Sequence, residues 1–342
     1  MSKVLAIDLG YSSVKVCRVN DEGVLVFDKF VSAVAKLPSN AILDGTDIDN
    51  DTMFRLNGDT YTLGSSALKV PRSYLLNLET FEDMKQSYPV WCSFLFNRYG
   101  GVDKFDKVAI GLSMAFADKA DELLAYLYES LMIDKPGFFM CLPQGLSCKL
   151  AYAECGLDIR ETTKHNDQRM RSFLLADGGF LTLDLSLMRG ANSASTAVGI
   201  ENSGIICIAC DLKQYLFKHM EMKASIKECA AILDNDGKFI RRGKSYDIKD
   251  KVDEFSKKYL INVLNLIEER FNESLDVAEG ILVCGGLAYI FKKYINDPDL
   301  VKEIEKHFPV SYLQFPVTDS EFFNAYSYYR IANNMMNPDK NQ

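Results

Sequence analysis

Histidine and tryptophan are scarce in this chain, with three of the former and one of the latter. The histidines, His165, His219 and His307, lie among charged residues with no ligand spacing between them, which argues against a histidine-held metal. Long apolar runs are missing too. None approaches the roughly 18 residues that a membrane span requires, so no membrane partner is expected. No charged leader precedes the first apolar run, which begins at Val4, and a cytoplasmic protein is the expectation. Positive charge is in deficit: 39 Lys and Arg stand against 47 Asp and Glu, for a net charge of −8. Such a chain is not expected to hold DNA directly by neutralising phosphates, so any work on DNA would need a separate adaptor protein. One basic cluster, Lys238, Arg241, Arg242 and Lys244, runs against this balance and reads as a solvated or subunit-contact face.

What is present suits a soluble globular protein. The 342 residues are 48% hydrophobic and 25% charged, which fits two ordinary domains rather than a disordered chain. Nine cysteines are present, but Cys141, Cys148 and Cys155 recur at helical spacing and Cys207-x-x-Cys210 sits in an apolar run with no second pair. Both sets read as small packing residues rather than metal or redox sites.

Two stretches carry the chemistry. The first runs from Val4 to Val19, where two apolar strands flank a short turn. It delivers Asp8 to the edge of a loop holding Gly10, Tyr11, Ser12 and Ser13, with Lys15 opening the return strand. Hydroxyls and N–H donors for phosphate oxygens, a lysine for charge and an aspartate for a metal's water shell together make a polyphosphate cradle. The second stretch repeats the device. Asp177-Gly178-Gly179-Phe-Leu-Thr182-Leu-Asp184 again ends an apolar strand in aspartate and glycine and starts an alternating one. A third piece, Gly280 to Ala288, is an apolar strand that runs through Cys284 into Gly285-Gly286-Leu287 and then a helix, suited to close approach of a base or ribose.

In this order the three pieces resemble the superfamily of actin, Hsp70 chaperones and sugar kinases, and within it the ParM-like (StbA-type) bacterial and archaeal actin-like proteins. Asp8-x-Gly10 with Lys15 looks like that family's first phosphate loop. Asp177-x-Gly179-x-x-Thr182-x-Asp184 looks like the second, and Gly285-Gly286 like the adenosine motif, with Leu287 where a third small residue is usual. Pro143-Gln144-Gly145 looks like the connecting segment, Asn57-Gly58 like a first-domain hairpin, and Phe323-Asn324-Ala325-x-x-Tyr328 like the closing helix. Phe180 and Leu181 are bulkier than the residues usual in the second loop. The resemblance implies an α/β, actin-like (ribonuclease H-like) duplicated two-domain fold with a nucleotide cleft between the domains. Domain I would span 1–145, with an outer subdomain at about 30–100, completed by 322–342. Domain II would span 146–321, with an outer insertion at about 205–250. It further implies an ATPase, with GTP possible in place of ATP and Mg²⁺ held through water by Asp8 and Asp177. The protein would self-associate into helical filaments, most often for plasmid segregation. Asp8, Gln144 and Asp177 would be catalytic. Gly10 to Ser13, Lys15, Gly178, Gly179, Thr182, Gly285, Gly286 and Leu287 would contact the nucleotide. A small-molecule kinase of the same superfamily is the alternative. If Pro143 opens a helix, Gln144 sits near its N-terminus, either orienting a water toward the γ-phosphate or serving as a polar cap.

Elsewhere, Asn57-Gly58 predicts a tight hairpin. Helices are expected over Ala117–Leu131, Gly204–Lys218, Asp250–Asn272 and Phe322–Met336, whereas 37–52 and 156–171 read as polar surface. Residues 72–100 are aromatic without a clear period, and Trp91 reads as core.

Overall fold

A five-stranded sheet forms twice in this chain with the same order and the same strand directions. In a computed structural model that describes residues 3–38, 52–76, 80–144, 172–189, 193–276, 278–315 and 320–337, the chain divides into two compact units. Unit 1 comprises Met1–Glu154 with Phe322–Gln342, and unit 2 comprises Cys155–Glu321. The expected surface segment 156–171, most of 37–52, and Gly145, Cys148, Cys155 and His165 lie outside the described residues.

The sheet of unit 1 is built from β1 (Val4–Leu9), β2 (Ser13–Val19), β3 (Leu25–Val31), β7 (Lys107–Leu112) and β8 (Phe139–Pro143), in the order β3-β2-β1-β7-β8. Neighbours β3, β2 and β1 run antiparallel, while β1, β7 and β8 run parallel. β1 is apolar from Val4 to Ile7 because both of its faces are covered. Leu5, Ile7 and Leu9 enter a large core with Val108, Ile110 and Trp91, while Val4 and Ala6 face Ala109 and the C-terminal helix Phe323–Met336. A small three-stranded sheet, β4 (Val34–Leu37), β5 (Met53–Leu56) and β6 (Asp59–Leu63), has its β5–β6 turn at Asn57-Gly58. Both turn residues have positive φ, 51° and 84°, as the Asn-Gly signal predicts.

Residues 72–100 depart from expectation. Phe81–Arg98 is an eighteen-residue helix, α1, which the sequence reading leaves without an assignment. Its start is marked by a capping box: Thr80 Oγ1 accepts from the Asp83 N–H, and the Asp83 carboxylate accepts from the Thr80 N–H. Its period is hidden because Phe81, Met84, Tyr88, Val90, Trp91, Phe94, Leu95 and Phe96 are all buried, only Glu82, Gln86, Asn97 and Arg98 are exposed, and Pro89 sits inside it. Trp91 is fully buried, in keeping with its reading as core. Helix α2 follows at Ala120–Leu131, burying Leu123 and Leu127.

Unit 2 repeats the scheme with β9 (Ser172–Gly178), β10 (Thr182–Arg189), β11 (Ser193–Glu201), β14 (Ala278–Cys284) and β15 (Leu313–Gln314), ordered β11-β10-β9-β14-β15. The first three again run antiparallel, and β9, β14 and β15 run parallel. The helices are α3 (Ile206–Met220), α4 (Ile226–Asp234), α5 (Lys249–Leu275), α6 (Gly285–Tyr294) and α7 (Pro298–Ile304). Tyr259, Leu260, Val263, Leu264 and Ile267 of α5 cover Leu174, Ala176, Ile281 and Val283. Between α4 and α5 lies a hairpin, β12 (Lys238–Arg241) and β13 (Lys244–Asp247), that charge counting does not reveal. Its Arg242-Gly243 turn takes φ of 50° and 74°.

Gly111 couples the unit 1 sheet to the C-terminal helix. The Tyr88 hydroxyl donates to its carbonyl from one side, and the Tyr328 ring occupies the space a Cβ would fill on the other. Gly111→Ala should therefore cost about 1–3 kcal/mol by overpacking. Urea unfolding of the variant measures this, and a stability equal to wild type would contradict the tight Tyr328 contact.

Candidate functional site

In unit 1, Asp8 is the last polar residue of β1 and is buried to 3% exposure. Its cross-strand neighbour is Lys15 of β2, whose Nζ lies 3.4 Å from Asp8 Oδ2. Gln144 reaches the same carboxylate from the end of β8, donating from Nε2 to Oδ1 at 3.0 Å. The Gln144 backbone is anchored by its N–H to the Leu112 carbonyl at 2.8 Å. A carboxylate accepts only, so this bond sets the amide orientation and turns Gln144 Oε1 away from Asp8. The turn itself is closed by the Gly10 N–H donating to the Ser13 carbonyl at 3.1 Å. A Cβ on Gly10 would stand 3.0 Å from that carbonyl and 3.6 Å from Lys15 Nζ, so glycine keeps the turn tight against the lysine. Ser12 is exposed, while Tyr11 and Ser13 are buried. The structure thus gathers Asp8, Gly10, Ser13, Lys15 and Gln144, and presents the Ser12 side chain to solvent.

In unit 2 the turn has the same bond. The Gly179 N–H donates to the Thr182 carbonyl at 3.0 Å. Asp177 sits at the matching point of β9, 4% exposed, and its cross-strand neighbour is Asp184 of β10, which is also buried. Where unit 1 sets a lysine opposite its aspartate, unit 2 sets a second carboxylate. The loop is fastened from behind. The carbonyls of Gly179, Phe180 and Leu181 accept from the N–H groups of Ile205, Ile206 and Gly204 at 3.1, 2.7 and 3.2 Å. Gly204 is required there, since a Cβ would lie 2.5 Å from the Phe180 carbonyl oxygen. Sequence reasoning missed this residue, although a glycine just before a helix was the available signal.

The paired glycines close on the same loop. Gly178 and Gly285 form a parallel bridge, extending the β9–β14 pairing in which Cys284 lies beside Asp177. Gly285 has φ of 65°, and a Cβ on it would stand 2.5 Å from Asp177 Oδ1 and 2.8 Å from the Gly178 carbonyl. A Cβ on Gly286 would crowd only the end of the Ile205 side chain, at 2.5 Å from Cδ1, and would make an ordinary 3.6 Å contact with the Gly178 carbonyl. Leu287 is fully buried, filling the space beside Gly178, so its side chain packs the core. Thr182 is buried, Gly178 is buried and Gly179 is exposed.

The described cysteines act as packing. All are free thiols, and burial pushes Cys92 up to about 12 and Cys141 and Cys229 up to about 11. Cys207 is likewise raised, chiefly by burial, and its thiol donates to the Asn202 carbonyl. No group of three or more metal-binding side chains occurs among the described residues. No helix among them is long and apolar enough to cross a membrane.

Comparison with known proteins follows this geometry. Residues 6–132 match the N-terminal domain of actin-like proteins, and residues 175–297 match the C-terminal domain of the archaeal MreB-like actin homologues. The chain belongs to the actin-like proteins. A ParM filament of 15 strands from Clostridium botulinum matches this actin-like protein over 97% of its length and 99% of the other chain, at 16% identity and a TM-score of 0.74. An archaeal actin homologue in complex with ADP matches over 97% and 99%, at 15% identity and a TM-score of 0.64. ParM of Bacillus thuringiensis with ATP matches over 99% and 100%, at 15% identity and a TM-score of 0.57. The search of curated proteins returned no match.

The two adjacent glycines of this actin-like protein differ in what they tolerate. Gly285→Ala meets backbone and a carboxylate in a left-handed conformation and should cost about 1–3 kcal/mol. Gly286→Ala meets the end of one flexible side chain and should cost about 1 kcal/mol or less. Denaturant unfolding of the two variants in parallel checks the order, and equal losses would contradict it.

Proposed function

We propose that this protein is an actin-like ATPase whose bound nucleotide controls its self-association into helical filaments. The observation that carries the reading is the repeated turn: an Asp-x-Gly hairpin closed by the same N–H to carbonyl bond in each unit. Chain folds like this one are seen with ADP, with ATP and as a filament in the three proteins compared above. Lys15, Ser12, Ser13 and the Gly10 and Tyr11 backbone suit phosphate oxygens. Gly178, Gly179 and Thr182 do the same in unit 2, and Gly285, Gly286 and the Leu287 backbone suit the nucleoside. ATP is the favoured nucleotide.

Mg²⁺ fits the donor set. Asp177 and Asp184 are buried acids on neighbouring strands, and the missing Cβ of Gly285 leaves room beside Asp177 Oδ1. Asp177 and Asp8 would hold the ion through its water shell, as suits a cation that keeps most of its waters. When bound, it would offset phosphate charge. Gln144 orients the attacking water through Oε1, which its bond to Asp8 turns outward. A carboxamide is too weak a base to take the proton, so its contribution is placement.

Cytoplasmic DNA segregation, most often of a plasmid, is the proposed use. With a net charge of −8, DNA would be engaged through a separate DNA-binding adaptor. Gln144→Ala should slow phosphate release by about two orders of magnitude or more with little change in ATP affinity. Asp177→Ala should abolish most turnover while the fold persists. Single-turnover hydrolysis with parallel binding titrations reads both. A protein that phosphorylates a small alcohol and stays monomeric with ATP, ADP and a slowly hydrolysed analogue would instead be a kinase.

A further inference from the structure

The basic cluster lies on the β12–β13 hairpin, a two-stranded ribbon of a kind that needs packing support to hold its shape. Its root is clamped. Asp236, in the turn before β12, accepts from Lys293 at 2.5 Å and from Lys249 at 3.1 Å. Asp253 of α5 accepts from the same two lysines at 3.3 and 3.0 Å and from the Tyr294 hydroxyl at 2.5 Å. Gly237 packs against the first residue of α5, where a Cβ would lie 2.7 Å from the Lys249 nitrogen. On the inner face, Phe239 stacks on Tyr246 and the Arg241 guanidinium donates to the Lys223 carbonyl at 2.6 Å. The outer face carries Lys238 and Ile240 opposite Asp247 and Ser245, and Arg242 and Lys244 stand at the hairpin's tip; all six are exposed, Ile240 to 75%. A surface fixed in advance loses little entropy on binding.

A complementary surface exists on unit 1. The last turn of α2 has no basic side chain to meet the partial negative charge of the helix end. Exposed Glu129 and Asp134 add to that charge, and between them Met132 is 82% exposed in a left-handed conformation. The adjacent cation, Lys135, is turned onto the Phe138 ring and the Phe105 carbonyl. The Ser130 carbonyl accepts from Asn57. One surface therefore presents an exposed isoleucine beside a cationic hairpin tip, Arg242 and Lys244, and the other an exposed methionine between two anions.

We propose that the β12–β13 hairpin docks onto the C-terminal end of α2 of a second copy of this chain. The proposal rests on the self-association reading above and names its contact. Because the two surfaces differ, the contact is heterologous: each copy can offer one surface to the copy ahead and the other to the copy behind, and the contact propagates wherever its rotation does not close a ring. Charge complementarity sets its direction, since two hairpins or two helix ends repel.

The test uses pelleting and light scattering of the full chain with Mg·ATP. Arg242→Glu with Lys244→Glu reverses the hairpin, and Glu129→Lys with Asp134→Lys reverses the helix end. Each double variant alone should raise the critical concentration for assembly about tenfold or more. An equimolar mixture of the two should assemble again, because each reversed hairpin then meets a reversed helix end and each native hairpin a native one. Recovery in the mixture also shows that both variants are folded. Hairpin variants that assemble at the wild-type concentration, or a mixture that fails to recover while both variants bind ATP, would overturn the contact alone. Wild type that stays monomeric with every nucleotide would overturn self-association, and the contact with it. Duplex DNA held by wild type and released by the hairpin variant, with assembly unchanged, would assign the hairpin to nucleic acid and overturn the proposal.

Discussion

Each unit has to hold an aspartate side chain at the buried end of its central strand. Stripping water from such a group is expensive unless partners replace the lost hydrogen bonds. Unit 1 meets the cost with Lys15 and Gln144, both drawn onto Asp8 by strand register and by the end of β8. Unit 2 sets Asp177 opposite Asp184, two buried acids on neighbouring strands. The same backbone device therefore differs between its two copies in the residue set opposite the aspartate: Lys15 faces Asp8, and Asp184 faces Asp177.

Rigid backing makes these loops usable. The sheet order β3-β2-β1-β7-β8 puts β1 in the middle, covered on both faces, so Asp8 projects from a strand whose one-residue slip would drive Leu5 and Ile7 into the face where Ala6 and Ala109 meet the C-terminal helix. The unit 2 loop is instead fastened through its own carbonyls to the start of α3. Glycine appears wherever this closeness would leave no room for a methyl group: Gly111 against Tyr328, Gly204 against the loop, Gly285 against Asp177.

Strand-and-turn elements were the most legible in sequence. The Asp-x-Gly hairpins, the Asn57-Gly58 turn and the strand into Gly285 all announce themselves by alternation and by residues that permit their turns. The long α5 helix was legible because one stripe is apolar. Helix α1 was not, because burial on nearly every side erased its stripe, and the Thr80 and Asp83 capping box was its one local signal. The β12–β13 hairpin was masked by its charges, since Arg-Gly with positive φ makes the same turn as Asn-Gly with a weaker signature. Close partners were least legible. Nothing in a linear sequence pairs Gly111 with Tyr328, or shows that Leu287 turns its side chain into the core.

The central claim is that the two hairpins are one nucleotide-binding device used twice. Amide hydrogen exchange with and without Mg·ATP tests it most directly, because exchange reports local opening segment by segment. The account predicts added protection in both 8–15 and 177–184, together with 284–287, and no change at the β5–β6 turn. Protection confined to one repeat, or absent from both at saturating ATP, would contradict it.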